Sequence, residues 1–177
     1  MRGLRQDDVQ FLAALNCDED VMRFVHDGTQ EMEQALVAAQ LEVGWARKGQ
    51  WRKWIIEELA NPGIAIGWIQ LYVEHGGYQL GFQFCPDVWG RGFATESIAS
   101  VVEYAFTTME LEQVGASVQQ ANVASKRALE RNGFHPIGEG MDGYRPTDEY
   151  YLSVEDFRSL QKWTSAGSQS PQAPAQS

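Results

Sequence analysis

Apolar residues recur at helical spacing through the first fifty positions, and the pattern predicts three helices. Val9, Phe11, Leu12 and Leu15 share one side of the first, with Asp7 placed to cap it. Asp18-Glu19-Asp20 opens a short second helix with Val21, Phe24 and Val25 inward. Thr29 is placed to cap a longer third, which carries Met32, Ala35, Leu36, Ala39 and Val43 and stops at Gly49. The rhythm then changes to that of strands, over 51–59, 64–74 and 78–85. Asn61-Pro62-Gly63 and Gly76-Gly77 are turn signals between them, and Pro86 stops the last, so the three form an antiparallel meander. Ile98, Val101, Val102, Ala105 and Phe106 mark the buried stripe of a helix that runs to about residue 109. A strand over 113–119 and a helix over 124–132 follow, with Gly133 where a left-handed residue ends a helix. Strands over 135–138 and 149–154, joined by a Gly/Pro/Asp-rich loop, and a helix over 154–163 complete the pattern.

Helices, then a meander, then alternating strand and helix, then a hairpin describe a mixed α/β (α+β) sheet rather than a doubly wound one. The 177 residues, 44% of them hydrophobic, suit a single domain over 1–163. Residues 164–177 carry no charge and read as a disordered tail of mainly Ser, Gln, Ala and Pro. No apolar run approaches the roughly 20 residues of a membrane span, and the first residues lack an apolar leader. Cys17 and Cys85, without a CxxC, point to a reducing cytoplasm and away from a disulfide scaffold or zinc site. The net charge of -10 disfavours nucleic acid and suits a cationic partner such as an amine or basic peptide, besides its plain effect on solubility.

The candidate chemistry lies in Asp87-Val88-Trp89-Gly90-Arg91-Gly92-Phe93-Ala94-Thr95-Glu96, between a strand and a helix. Gly90 and Gly92 permit a tight turn with no Cβ in the way of a ligand. The helix start adds free N–H groups and the positive end of its dipole, so the segment reads as a phosphate cradle. A dinucleotide fingerprint would need Gly or Ala where Thr95 stands, with an acidic residue after the next strand, which instead ends in Gln119-Gln120. The Gly-Lys-Ser/Thr of a P-loop is missing too. A lone Gly-x-Gly also occurs in turns that bind nothing. A second cluster follows the next strand, Asn122-Val123-Ala124-Ser125-Lys126-Arg127-Ala128-Leu129-Glu130-Arg131-Asn132-Gly133-Phe134. Each of its residues has a plain structural role: Asn122 as a cap, Gly133 as a stop, Phe134 in the core.

Together the two clusters resemble the GNAT N-acetyltransferases, in particular the branch of ribosomal-protein N-terminal alanine acetyltransferases. The family pattern is Trp/Gln-Gly-x-Gly-Tyr/Phe-Ala-Thr-Glu, a strand, then Asn-x-x-Ser-x-x-x-Leu-x-x-x-Gly-Phe. The resemblance extends over residues 4–157, taking in Leu4-Arg5, Asp18 to Arg23, Ile66-Gly67 and Tyr150-Tyr151-Leu152-Ser153. It implies a mostly antiparallel sheet that splays at a notch for acetyl-coenzyme A, the co-substrate, with no metal. It implies that Gly90, Arg91, Gly92, Phe93, Ala94 and Thr95 hold the pyrophosphate and that Phe84 and Cys85 pair with the pantetheine arm. One N–H there would polarise the thioester, and Asn122 and Ser125 would lie near the sulfur.

The reaction implied is direct attack by a primary amine: a protein N-terminus, polyamine, amino acid or antibiotic. A non-catalytic acyl-coenzyme A-binding regulatory module is the alternative, suggested by two departures. Many relatives carry a catalytic Tyr where this chain has Leu129, and a Glu where it has Gln79. Ser125 stands in as the acid. Glu149 is the candidate base, with His26, Asp27, His75 or water as alternatives. Cys85 reads as packing rather than nucleophile. The acceptor site is expected from the N-terminal helices, the meander and a loop over 139–150, with Trp45, Trp51, Trp54 and Trp68 as wall candidates and Asp27, Glu31 and Glu149 to hold a cationic amine. Relatives begin with a full strand, for which only residues 1–5 are available here. The oligomeric state, a homodimer among the options, is left open.

Overall fold

The computed structural model describes residues 1–25, 28–47, 52–74 and 76–167. His26, Asp27, Gly49, Trp51, His75 and residues 168–177, which figure in the expectations above, lie outside the described residues. In chain order the elements are β1 (Arg2–Gly3), α1 (Val9–Asn16), α2 (Glu19–Met22), α3 (Met32–Arg47), β2 (Arg52–Glu57), β3 (Ala65–Glu74) and β4 (Gly77–Phe84). They continue with α4 (Phe93–Thr107), β5 (Gln113–Gln119), α5 (Val123–Glu130), β6 (His135–Asp142), β7 (Arg145–Ser153) and α6 (Val154–Gly167).

Among the described residues these strands form one seven-stranded sheet in the order β1-β2-β3-β4-β5-β7-β6. Every neighbouring pair is antiparallel except β4 and β5, which run parallel and meet only where Gln79 faces Gly115. Beyond that point the two strands part. Gly115 makes the contact possible, since a Cβ there would fall 2.7 Å from the Gln79 carboxamide. The mixed sheet and its splay between the 78–85 and 113–119 strands match the expected architecture.

One sheet face packs against α4, α5 and α6. The predicted stripe of Ile98, Val101, Val102, Ala105 and Phe106 meets Ile69, Leu71, Leu80, Val114, Ala116, Val118 and Leu152 in the main core. The opposite face, over β1 to β3, is covered by α1 and α3, whose Leu12, Ala13, Ala35, Ala39 and Val43 close on Ile55. Among the described residues, no helix stripe of this kind covers the same face over β4, β5 and β7. Strand alternation sends Gln79, Gly81, Gln83, Gly115, Ser117, Gln119, Thr147 and Glu149 to it.

Several boundaries shift. A 3-10 turn, Gln6–Asp8, precedes α1, so the residue at the cap is the buried Asp8 rather than Asp7. The Asp8 carboxylate takes hydrogen bonds from both Arg2 Nη atoms, at 2.8 and 2.7 Å, and from the Arg5 N–H at 2.7 Å. Arg2 also reaches Glu57 at 2.6 Å, which fastens short β1 to β2. Helix α3 begins three residues after Thr29, at Met32. The loop expected over 139–150 is instead the end of a hairpin. Asp142 faces Arg145 across a two-residue turn in which Gly143 has φ +62°. Helix α6 continues to Gly167, into the segment read as a tail.

Candidate functional site

β4 hands the chain to the glycine loop through the turn Pro86–Val88. Gly90 and Gly92 take φ +74° and +91°, a region that side chains disfavour. With Gly92 at the cap, the Glu96 N–H is the first in α4 to reach a carbonyl, that of Gly92, at 3.0 Å. The Arg91 N–H turns back to the Val88 carbonyl at 3.4 Å. Among the described residues, the N–H groups of Gly90, Gly92, Phe93, Ala94 and Thr95 meet no acceptor. Five unused donors at the positive end of a helix make an anion nest.

The second cluster is held against this nest. Asn122 caps α5, its Oδ1 accepting the Ser125 N–H at 3.2 Å. At the far end Asn132 donates to the Thr95 carbonyl at 3.1 Å and to the Ala128 carbonyl at 2.8 Å. Helix α5 is thereby tied to the first turn of α4, which explains why the two motifs work as one unit.

A cleft of about 650 Å³ runs between them, through the gap where β4 and β5 part, to the polar face of the sheet. That volume lies in the ordinary range for a ligand site. Eight of the residues singled out from sequence line it: Phe84, Gly90, Gly92, Phe93, Ala94, Thr95, Asn122 and Ser125. Leu129, where a Tyr was missing, is fully buried beneath them and also reaches the cleft.

Cys85, Arg91 and Glu149 are not cleft walls. The Cys85 N–H already donates to the Ile66 carbonyl at 2.9 Å, so it is not available to a thioester. An antiparallel ladder directs alternate residues to one neighbour, so Phe84 and Phe82 direct their backbone groups toward the gap instead. The Phe84 carbonyl accepts the Trp89 indole N–H at 2.8 Å. Burial, reinforced by Asp87, pushes the Cys85 thiol above its ordinary pKa, which suits packing rather than nucleophilic work. The Arg91 side chain turns away from the nest, pairs with Glu58 and lies 5.0 Å from the centre of the Phe93 ring.

Glu149 stands one strand behind the cleft. Its Oε1 accepts from Ser117 Oγ at 2.8 Å and from Thr147 Oγ1 at 2.7 Å. Ser117 is exposed and does line the cleft, so the carboxylate communicates with it through that hydroxyl. Of the tryptophans expected as walls, Trp68 lines the cleft. Trp54 instead packs edge-on against Tyr104, 5.4 Å between ring centres, and Trp45 lies on α3 with its ring partly exposed. Glu31 is exposed outside it.

Sequence reasoning missed Gln70, Tyr72, Ser117 and Gln119, all cleft residues. Their signal was the polar half of the strand alternation in β3 and β5, which carries meaning only once that face is known to be open. Burial, with the charges of Glu74, Asp142 and Glu149, pushes the Tyr72 hydroxyl up to about 12, so it remains a neutral O–H donor. Asp20, Asp142 and Glu149 give this end of the cleft an acidic character. Among the described residues no group of three or more His, Cys, Asp and Glu is arranged to hold a metal, and no helix is long and apolar enough to cross a membrane.

Comparison with known proteins agrees with this geometry. The sequence model described as "Acetyltransferase (GNAT) domain" matches residues 1–135. The uncharacterized N-acetyltransferase YoaA of Bacillus subtilis is 28% identical over 141 residues, 78% of this chain and 80% of its own length. YnaD of the same organism, also an uncharacterized N-acetyltransferase, is 27% identical over 165 residues, 87% and 91% of the two chains. Among solved structures, the fold is similar to a GNAT-family acetyltransferase from Bacillus anthracis, with TM-score 0.74, 22% identity and 87% and 93% coverage. It is equally similar to spermidine N-acetyltransferase from Vibrio cholerae in complex with CoA and spermine, with TM-score 0.75, 21% identity and 89% and 96% coverage.

Proposed function

The chain belongs to the GNAT acetyltransferase family, and on that footing we propose that it moves an acetyl group from acetyl-coenzyme A to a primary amine. The observation that carries this reading is the nest of five unused N–H groups, Gly90 to Thr95, at one end of a cleft that passes between parted strands. The nest suits a pyrophosphate without a metal. The edge of β4 that faces the gap, with the backbone groups of Phe82 and the N–H of Phe84, suits the pantetheine amides, as an added strand would be held. Asn122 and Ser125 stand on the opposite wall. The acidic polar end suits a cationic amine, and the Vibrio cholerae enzyme of similar fold, a spermidine acetyltransferase, supports an amine as the class of acceptor.

The amine must first lose a proton, since its lone pair is what attacks. Ser117 passes that proton to Glu149, one hydrogen bond away. The lone pair attacks the thioester carbonyl carbon, and backbone N–H groups on the free edge of β4 stabilise the oxygen as it gains charge. The C–S bond then breaks; the attacking nitrogen, which carries one proton more than the amide, gives it to water, and the thiolate takes the Ser125 hydroxyl proton, which Ser125 regains from that water. The Ser125 hydroxyl makes no hydrogen bond among the described residues. Holding both reactants in one cleft supplies a further part of the rate. One domain over 1–163 and a cytoplasmic setting, with Cys17 and Cys85 both as free thiols, complete the proposal.

Free-thiol release from acetyl-coenzyme A, measured against a panel of amines and basic peptides, tests it. Release that depends on an amine is expected. Tight coenzyme binding with no release for any amine would turn the reading toward a non-catalytic acyl-coenzyme A-binding module.

A further inference from the structure

A short segment bridges the gap on the polar face of the sheet. Beyond the contact of Gln79 with Gly115, β4 continues through Gln83 and β5 through Gln119, so these two residues stand on opposite banks of the opening. Both line the cleft. Residues 20–25 cross from one bank to the other, with Asp20, Val21, Phe24 and Val25 forming a cleft wall. Met22 is buried and tacked to the β4 bank, its Sδ accepting from Gln83 Nε2 at 3.6 Å. Arg145, on β7, tacks the chain to the other bank. Its Nη1 donates to the carbonyls of Arg23 at 3.0 Å and Val25 at 3.3 Å, and to Gln119 Oε1 at 3.4 Å.

The segment cannot hold this position unaided. Helix α2 is a single turn of 4 residues, and a helix that short is unstable alone and leaves its last carbonyls unpaired. The Arg23 carbonyl has no other hydrogen bond among the described residues. The Val25 carbonyl has one more, from the Gly28 N–H at 3.1 Å. A guanidinium suits the task, because it stays charged at any working pH and offers several donors in a fixed fork. Arg145 thus joins positions that lie 120 apart in sequence. The polar end of the cleft lies between the sheet, with Tyr72 and Ser117, and the segment, with Val21, Phe24 and Val25.

We propose that Arg145 is a positioning residue for the acceptor: it fastens residues 22–25 across the gap and so sets the width of the space in which the amine is held. This rests on the acetyltransferase reading. Arg145 does not itself line the cleft, so it acts through the Arg23 and Val25 carbonyls. The phosphate nest and the Asn122–Ser125 wall are built by α4 and α5 and do not depend on it. Releasing the segment therefore weakens the hold on the amine and spares the hold on the coenzyme.

The test joins steady-state thiol release, with the amine of the panel that reacts fastest, to amide hydrogen exchange. Arg145→Gln removes the charge and shortens the reach. It should raise the KM for the amine by about tenfold or more, with kcat within about threefold and the KM for acetyl-coenzyme A within about twofold of wild type. Exchange at Arg23, Phe24 and Val25 should quicken by about tenfold or more, while that of α4 is unchanged. Arg145→Lys, which keeps the charge and can reach one carbonyl, should recover part of both effects. An unchanged KM for the amine overturns the proposal. So does an equal rise in both KM values, or faster exchange throughout the chain, which would make Arg145 a support of the whole fold. If no amine releases thiol from the wild-type chain, the acetyltransferase reading falls. Exchange at 23–25 that Arg145→Gln leaves unaltered overturns the fastening itself, whatever the activity.

Discussion

The Asn132 side-chain amide donates to the Thr95 carbonyl at 3.1 Å, across 37 positions of sequence. This bond fixes the end of α5 to the first turn of α4, and with it the Asn122–Ser125 wall to the phosphate nest. Asn132→Ala removes this bond and the one to Ala128, each worth about 1 kcal/mol. We expect a Tm lower by several degrees and a coenzyme affinity lower by about three- to tenfold, read by thermal unfolding and by titration with coenzyme A. A stability loss with unchanged affinity would separate the bond from the binding site.

The left-handed glycines give a sharper prediction. No atom lies within 4 Å of a Cβ built on Gly90 or Gly92, so neither is glycine for want of space in the free protein. The requirement is backbone conformation, φ +74° and +91°, together with the approach of a ligand to the N–H groups. Gly92→Val forces a β-branched residue into that region and fills the nest, so coenzyme binding should fall by 100-fold or more, on the order of 3 kcal/mol. The Tm should fall much less than it does for a core substitution.

The contrast between these glycines and the polar sheet face describes what the sequence made legible. Local chemistry announces itself locally: Gly90 and Gly92 spell the turn, Asn122 the cap and Gly133 the stop. The stripe from Ile98 to Phe106 is equally plain, because helical period and burial are the same fact. Gln70, Ser117 and Gln119 were illegible because a polar residue in a strand faces water by default, and only the parting of β4 from β5 makes that face a cleft wall. The turn Asp142-Gly143-Tyr144-Arg145 was hidden among other Gly and Pro residues, so the inner ends of both hairpin strands read as loop. Arg91 was assigned to phosphate by its place in a motif. Glu58, 33 positions away, draws it elsewhere, and no local pattern records that.

Ser125 tests the proton given to sulfur. Its N–H is held by Asn122, while its hydroxyl is unengaged among the described residues, so Ser125→Ala leaves the helix cap intact. Turnover should fall by about tenfold or more with coenzyme affinity within a few-fold of wild type. Unchanged turnover removes Ser125 from the mechanism and leaves the neutral Tyr72 hydroxyl as the next candidate for that proton.

Acid stability should depend on Asp8. Burial acts to raise its pKa, but hydrogen bonds from Arg2 and from the Arg5 N–H more than reverse this and hold it below the ordinary 3.8. An acid with a depressed folded pKa stabilises the fold above its unfolded value, and that contribution is lost as pH falls through the folded one. Asp8→Asn should therefore lower the Tm at pH 7. The gap to wild type should narrow steadily below about pH 4. A gap independent of pH would assign the effect to packing rather than to the charge.

The proton taken from the amine is the remaining question, and Ser117 and Glu149 can be separated experimentally. Glu149 receives two hydroxyls on one oxygen, from Ser117 and Thr147, so Glu149→Gln retains an acceptor for both while losing the capacity to take a proton. Turnover should drop by about 100-fold, with the KM for acetyl-coenzyme A little changed. Ser117→Ala leaves the carboxylate but removes its link to the cleft; water can occupy the freed space, so a smaller loss, about tenfold, is expected. If the two act in series, the double variant should be no slower than Glu149→Gln alone, because the second substitution cuts a path already closed. Strictly additive losses would place Ser117 and Glu149 in separate roles, and a wild-type rate for Glu149→Gln would return the proton to water.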